Sequence, residues 1–96
     1  MARLIFSQTA LAELEKLTDF LIEVDPSAAT ETVGLIEEAT SILKRHPLIG
    51  RQLDSDLREL IISRGKTGYV ALYSYEADQD VALILAIRHQ REAGHF

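Results

Sequence analysis

Val81-Ala82-Leu83-Ile84-Leu85-Ala86-Ile87 is apolar at every one of its seven positions. A helix that spans a bilayer needs about 20 such residues. A continuous run this short fits a strand buried on both faces, at the centre of a sheet. Such a strand needs neighbours on either side, and the flanking sequence supplies them. Residues 69–76 alternate, with Tyr69, Ala71, Tyr73 and Tyr75 on one face and Val70 and Leu72 on the other. Residues 78–80 turn the chain between these two strands. Residues 57–63 form a further strand, joined to 69–76 by Arg64-Gly65-Lys66-Thr67-Gly68, a turn with two glycines. At the start of the chain Arg3-Leu4-Ile5-Phe6-Ser7 reads as a short strand, expected to pair with the run at 81–87.

Between the first strand and the rest, the apolar period changes from two to 3.6. From Ala10 onward, Leu14, Leu17, Leu21 and Val24 step by three, four and three along one helical face. Glu13, Glu15, Lys16, Asp19 and Glu23 fall mostly off that face, where water solvates them. Ser7 or Thr9 can cap the helix by accepting an orphan backbone N–H. Asp25-Pro26 breaks it, because proline disfavours a helical residue before it and suits the first position of a new helix. The second helix is expected to run to about His46, burying Ala29, Val33, Ile36, Thr40 and Leu43. Lys44, Arg45 and His46 close it with charges that favour the helix dipole, and Pro47 stops it. Residues 47–56 read as a loop. The order β-α-α-β-β-β predicts an α+β fold, a helical hairpin packed as a unit on a small antiparallel sheet. Residues 1–96 make a single domain.

Composition narrows the function. Ten Lys and Arg against fifteen Asp and Glu give a net charge of −5, which argues against non-specific nucleic-acid binding. No cysteine is present, which removes disulfides, thiolate zinc sites and thiol nucleophiles and fits a reducing cytoplasm. The N-terminus lacks the apolar stretch of a signal peptide. The charge is uneven: residues 1–50 hold four basic and eight acidic residues, net −4, whereas 51–96 hold six and seven, net −1. Arg58, Arg64, Lys66, Arg88 and Arg91 lie at strand ends and in the first turn of the second half. They read either as a cationic rim or as scattered solvated charge.

Gly65-Lys66-Thr67 mimics the end of a phosphate-binding loop, but Leu60 stands where its first glycine belongs and a strand follows instead of a helix. His46 reads as a surface residue at a helix end. His89 leaves the buried strand at a sheet end, a position suited to binding or proton transfer. His89 and His95 have no carboxylate cluster at ligand spacing, so neither a metal site nor a cofactor is expected. Tyr69, Tyr73 and Tyr75 read as a half-buried sheet surface, or as a platform for a partner.

Three strings occur in a telling order: His46-Pro47-Leu48-Ile49-Gly50-Arg51; Leu57-Arg58-Glu59-Leu60 leading into Tyr69-Val70-Ala71-Leu72-Tyr73; and Leu85-Ala86-Ile87-Arg88-His89-Gln90-Arg91-Glu92. With this element order, the chain resembles the RelE/ParE superfamily of type II toxin–antitoxin toxins over essentially its whole length. The resemblance implies a small bacterial cytoplasmic toxin and a cognate, ParD-like antitoxin whose C-terminal segment wraps it. Operator DNA would then be reached only through the antitoxin.

RelE-like members are ribosome-dependent mRNA endonucleases and are typically strongly basic. This chain has Val70 where an arginine is expected beside the second-strand tyrosine. It also ends in Phe96, which cannot act like the C-terminal tyrosine of that branch. ParE-like members inhibit DNA gyrase by binding and need no catalytic constellation. The Arg58-Glu59 pair and the His89-Gln90-Arg91-Glu92 tail resemble that branch. The target contact is therefore assigned to Arg58, Arg64, Arg88, His89, Arg91 and His95. In the nuclease alternative, His89 or His95 moves protons while Lys66, Arg88 or Arg91 stabilises phosphate. A degenerate toxin that only binds its antitoxin is the third reading. Leu11, Phe20, Ile22 and Leu35 lie outside the counted stripes, and with Tyr73 and Tyr75 they are assigned to the antitoxin.

Overall fold

A computed structural model of the chain describes residues 1–62 and 68–89. Its elements follow the expected order: β1 (Arg3–Phe6), α1 (Gln8–Val24), α2 (Pro26–Ser41), a 3₁₀ turn (Ile42–Lys44), β2 (Arg51–Gln52), β3 (Arg58–Ile61), β4 (Tyr69–Glu76) and β5 (Val81–His89). The five strands form one sheet in the order β1-β5-β4-β3-β2. The apolar run at 81–87 therefore lies in an interior strand, paired with β1 on one side and β4 on the other, as its composition requires.

The sheet is mixed where an antiparallel one was expected. β1 runs parallel to β5, with Arg3 opposite Val81 and Phe6 opposite Ile84. The reason lies in the helical hairpin. α2 returns the chain to the end of the sheet where β1 begins, and there the Ala2 amide donates to the Lys44 carbonyl at 2.7 Å. The meander then rises in β3, descends in β4 and rises again in β5, alongside β1 and in the same direction. Residues 47–56 are not wholly a loop, because Arg51–Gln52 pairs with β3 and supplies the fifth strand. The Arg51 guanidinium reaches Glu59 across that pair at 3.1 Å.

β4 and β5 change register between Leu72 and Tyr73: Leu72 faces Ala86, Tyr73 faces Ile84, and Leu85 is left as an extra residue. Such a bulge reverses the alternation of the strand beyond it. Ala82 and Ile84 before it and Ile87 after it all join the core beneath the helices, with Ala71, Tyr73, Ala10, Ile36 and Leu43. Ser7 serves this irregularity with both of its polar groups. Its amide donates to the Ile84 carbonyl at 2.8 Å. Its hydroxyl donates to the Leu85 carbonyl at 3.1 Å and accepts from the Ala10 amide at 3.0 Å, which caps α1.

The helical faces follow the predicted spacing except at Val33, which is only half-buried, and at Val24. Leu14 and Leu17 pack on the core, and Ala29, Ile36, Thr40 and Leu43 are buried. Val24 is 66% exposed, because it ends α1 just before the Asp25 break. Asp25 starts α2 by accepting from the Ser27 and Ala28 amides. The α-helix stops at Ser41, short of His46, and tightens into the 3₁₀ turn.

Candidate functional site

α1 continues past the end of β1 and lies beside β5, which leaves β5 with an edge that no strand covers among the described residues. Ser7 satisfies the first group on that edge and Glu13 the next. Glu13 Oε1 accepts from the Ile87 amide at 3.1 Å, and its Oε2 lies 3.3 Å from Arg88 Nε. The sequence placed Glu13 on the solvated face. It is instead half-buried, because α1 crosses the exposed backbone of β5 at this residue.

Beyond this contact α1 and the sheet diverge, opening a cleft of about 510 Å³. Glu13, Lys16, Leu17 and Phe20 line it from α1, and Tyr69, Ile87 and His89 from the sheet. Tyr69 and His89 are cross-strand partners. Their rings meet edge to face, with centroids 5.6 Å apart and planes at 81°. Burial pushes the Tyr69 phenol above its ordinary pKa, so it stays protonated at neutral pH. The cleft thus offers apolar walls, an ammonium, a neutral phenol and an imidazole. Such a set can hold an apolar or aromatic group beside a negative one.

The other assigned residues are spread more widely. Arg58 is on the same face of the sheet, but its Nη1 donates to the Gly50 carbonyl at 2.9 Å and the Leu48 carbonyl at 3.1 Å. These two bonds tie the loop after α2 to β3. Arg88 pairs with Glu13. Arg64, Lys66, Arg91 and His95 lie outside the described residues. Leu11, Phe20, Ile22 and Leu35 are all exposed.

Tyr73 requires a correction. It is fully buried and cannot meet an antitoxin from this position. Its hydroxyl donates to the Pro47 carbonyl at 2.8 Å and accepts from the Gly50 amide at 2.8 Å. Burial raises its pKa, partly offset by the Gly50 amide and the Arg58 charge. Tyr75 is half-buried, and its hydroxyl donates to Asp80 at 2.6 Å. That hydrogen bond, helped by desolvation and the carboxylate charge, raises its pKa.

Residues 4–94 match the family described as the ParE toxin of the type II toxin-antitoxin system, parDE. The chain belongs to this ParE toxin family. Two curated relatives come from Caulobacter vibrioides. Toxin RelE3 is 36% identical over 83 residues, covering 86% of this ParE-family chain and 88% of the relative. Toxin RelE2 is 33% identical over 89 residues, covering 93% and 96%. Among solved structures, the chromosomal ParDE system from P. aeruginosa aligns with a TM-score of 0.75 at 22% identity, covering 93% of this chain and 96% of that one. The toxin–antitoxin complex RelBE2 from Mycobacterium tuberculosis aligns with a TM-score of 0.63 at 26% identity, covering 93% and 98%. The superfamily read from the three strings is therefore correct, and this chain is a type II toxin of the ParE/RelE superfamily. Among the described residues, no helix of this ParE-family toxin is long and apolar enough to cross a membrane.

Proposed function

We propose that this toxin acts by binding, that its target is DNA gyrase, and that a cognate antitoxin neutralises it. The observation that carries the reading is the position of Arg58. An endonuclease of this fold needs free cations on the sheet to stabilise the charge that develops at phosphorus. Among the described residues, Arg58 directs its Nη1 to two backbone carbonyls, and Arg88 is engaged by Glu13. The net charge of −5 also opposes docking on ribosomal RNA. In this reading the target meets the sheet end where His89 emerges, with Arg64, Arg88, Arg91 and His95 as the further residues assigned from sequence.

The antitoxin is expected on the helical hairpin. Phe20 and Ile22, at 61% and 52% exposure, are large apolar side chains with no role in the core. An initially flexible segment that folds over them gains apolar burial at each.

The test incubates purified toxin with gyrase and ATP, using relaxed plasmid to read supercoiling and supercoiled plasmid to read the cleaved complex. Inhibition or trapped cleavage at stoichiometric toxin is the expected result. Normal supercoiling with no cleaved complex at excess toxin rejects the gyrase reading. The Caulobacter relatives carry RelE names, and the cleft joins His89 with Tyr69 and Lys16. These observations favour the ribosome-dependent endonuclease as the second reading. Codon-linked mRNA cleavage soon after induction would establish it in place of the first.

A further inference from the structure

The loop between α2 and β2 is held from within. Tyr73 bonds the Pro47 carbonyl and the Gly50 amide, Arg58 bonds the Leu48 and Gly50 carbonyls, and the Ile49 amide donates to the His46 carbonyl at 3.1 Å. Four side-chain bonds and one turn bond fix a segment whose tip carries two aliphatic side chains. Leu48 and Ile49 are 58% and 57% exposed, and neither belongs to the core. Holding adjacent aliphatic side chains in water forgoes the hydrophobic gain that covering them would bring.

Charge is segregated around the same loop. Residues 8–41, which form the two helices, hold eight Asp and Glu against Lys16 alone. Residues 42–51 hold Lys44, Arg45 and Arg51 and no acid. Among the described residues, no carboxylate forms an ion pair with Lys44 or Arg45. On a protein of net charge −5, this loop is a cationic point with an apolar tip.

We propose that the loop at 44–50 is a docking knob that inserts Leu48 and Ile49 into an apolar, acid-rimmed socket on the folded surface of the toxin's protein target. The proposal rests on the reading that the toxin acts by binding a protein. A tip already held by side-chain and turn bonds has little ordering entropy to lose when it docks on a folded surface. The basic residues flanking the tip complement acidic groups around the socket and speed encounter. Aliphatic side chains gain little from a phosphate backbone, which separates this surface from one built for nucleic acid.

Two double variants test the knob: Leu48→Ser with Ile49→Ser, and Lys44→Glu with Arg45→Glu. All four residues are exposed, so both variants should melt like the parent protein. Growth arrest on induction, gyrase inhibition by purified toxin, and rescue by co-expressing a cognate antitoxin are read together. Both variants are expected to need at least tenfold more toxin for arrest and for gyrase inhibition, with unchanged melting and with antitoxin rescue intact at matched arrest. Full arrest by both variants overturns the knob. Weakening by charge reversal alone points to a polyanion such as RNA and also overturns it. Loss of antitoxin rescue makes the loop an antitoxin seat, which is a third refutation. If the parent toxin arrests growth without affecting gyrase, the gyrase reading fails while the arrest by the two variants still decides the knob. A parent toxin that arrests nothing removes both.

Discussion

The Tyr73 hydroxyl and the Gly50 amide lie 2.8 Å apart, and this bond seats the loop after α2 on the sheet. The same hydroxyl donates to the Pro47 carbonyl. Tyr73→Phe keeps the ring in the core but leaves an N–H and a C=O without their partner. A loss of about 1–3 kcal/mol is expected. Urea denaturation should show a lower midpoint at an unchanged slope. A midpoint equal to that of the parent protein would mean that water replaces the phenol without cost.

Gly50 is required by space. A Cβ there would sit 2.5 Å from Tyr73 Cε1 and 2.9 Å from the Glu59 carbonyl oxygen. The first atom belongs to a fully buried ring and the second to strand backbone, so neither can move aside easily. Gly50→Ala should therefore cost about 1–3 kcal/mol through overpacking. Gly34 has nothing within 4 Å of the corresponding position. Gly34→Ala should instead stabilise α2 by up to about 1 kcal/mol through helix propensity. Thermal melting of the two variants side by side checks the contrast in sign.

These positions mark where sequence reasoning reached and where it stopped. The run at 81–87 announced an interior strand, and the stripe Ala29-Val33-Ile36-Thr40-Leu43 announced the inward face of α2, with Val33 only half-buried, because burial writes a period into the chain. Tyr73 was misread because alternation gives a side chain's face without saying what covers that face. The covering loop comes from residues 47–50, more than twenty positions earlier. The bulge at Leu85 has no signature in an all-apolar strand. Glu13 looked like any solvated helix residue, since its partner is a backbone amide 74 positions away. His89 was legible as a strand-end residue, but Tyr69 joins it through the β4–β5 register and Lys16 only through the crossing of α1 over the sheet.

Ser7 holds α1 and the bulge at once, so its hydroxyl matters at both. Ser7→Ala removes the cap on the Ala10 amide and the donor to the Leu85 carbonyl. Loss of the cap alone is worth about 1 kcal/mol. The double role predicts a total nearer 2 kcal/mol, on the scale of one cap plus one hydrogen bond. Hydrogen exchange should quicken at the first turn of α1, and slow exchange there would assign the cap to another group.

Tyr69, Tyr73 and Tyr75 all have pKa values raised above the ordinary 10.0. The folded state therefore holds these protons more tightly than the unfolded chain does. The tyrosine contribution is fully present below pH 10 and is lost as pH rises through the folded values. Stability should fall above pH 10 while tyrosinate absorbance lags behind that of a free phenol. Tyr73→Phe should flatten the fall, since Tyr73 is the buried member. An identical alkaline profile for parent and variant would place the loss elsewhere.

Glu13 separates a hydrogen bond from a charge in one side chain. Its Oε1 takes the Ile87 amide on an edge of β5 that no described strand covers, and its Oε2 pairs with Arg88. The pair is partly exposed, with side-chain accessibilities of 35% for Arg88 and 26% for Glu13, so solvent screens it and its share should stay below about 1 kcal/mol. The amide is the larger stake, because an orphaned part-buried N–H costs about 1–3 kcal/mol. Glu13→Gln keeps an oxygen for Ile87 and gives up only the charge, whereas Glu13→Ala gives up both. Urea unfolding should therefore order the proteins parent, Gln, Ala, with the larger step between Gln and Ala. The Ile87 amide should exchange quickly only in the alanine variant. A glutamine variant as weak as the alanine one would show that the Arg88 ion pair, and not the backbone bond, docks α1 against the cleft.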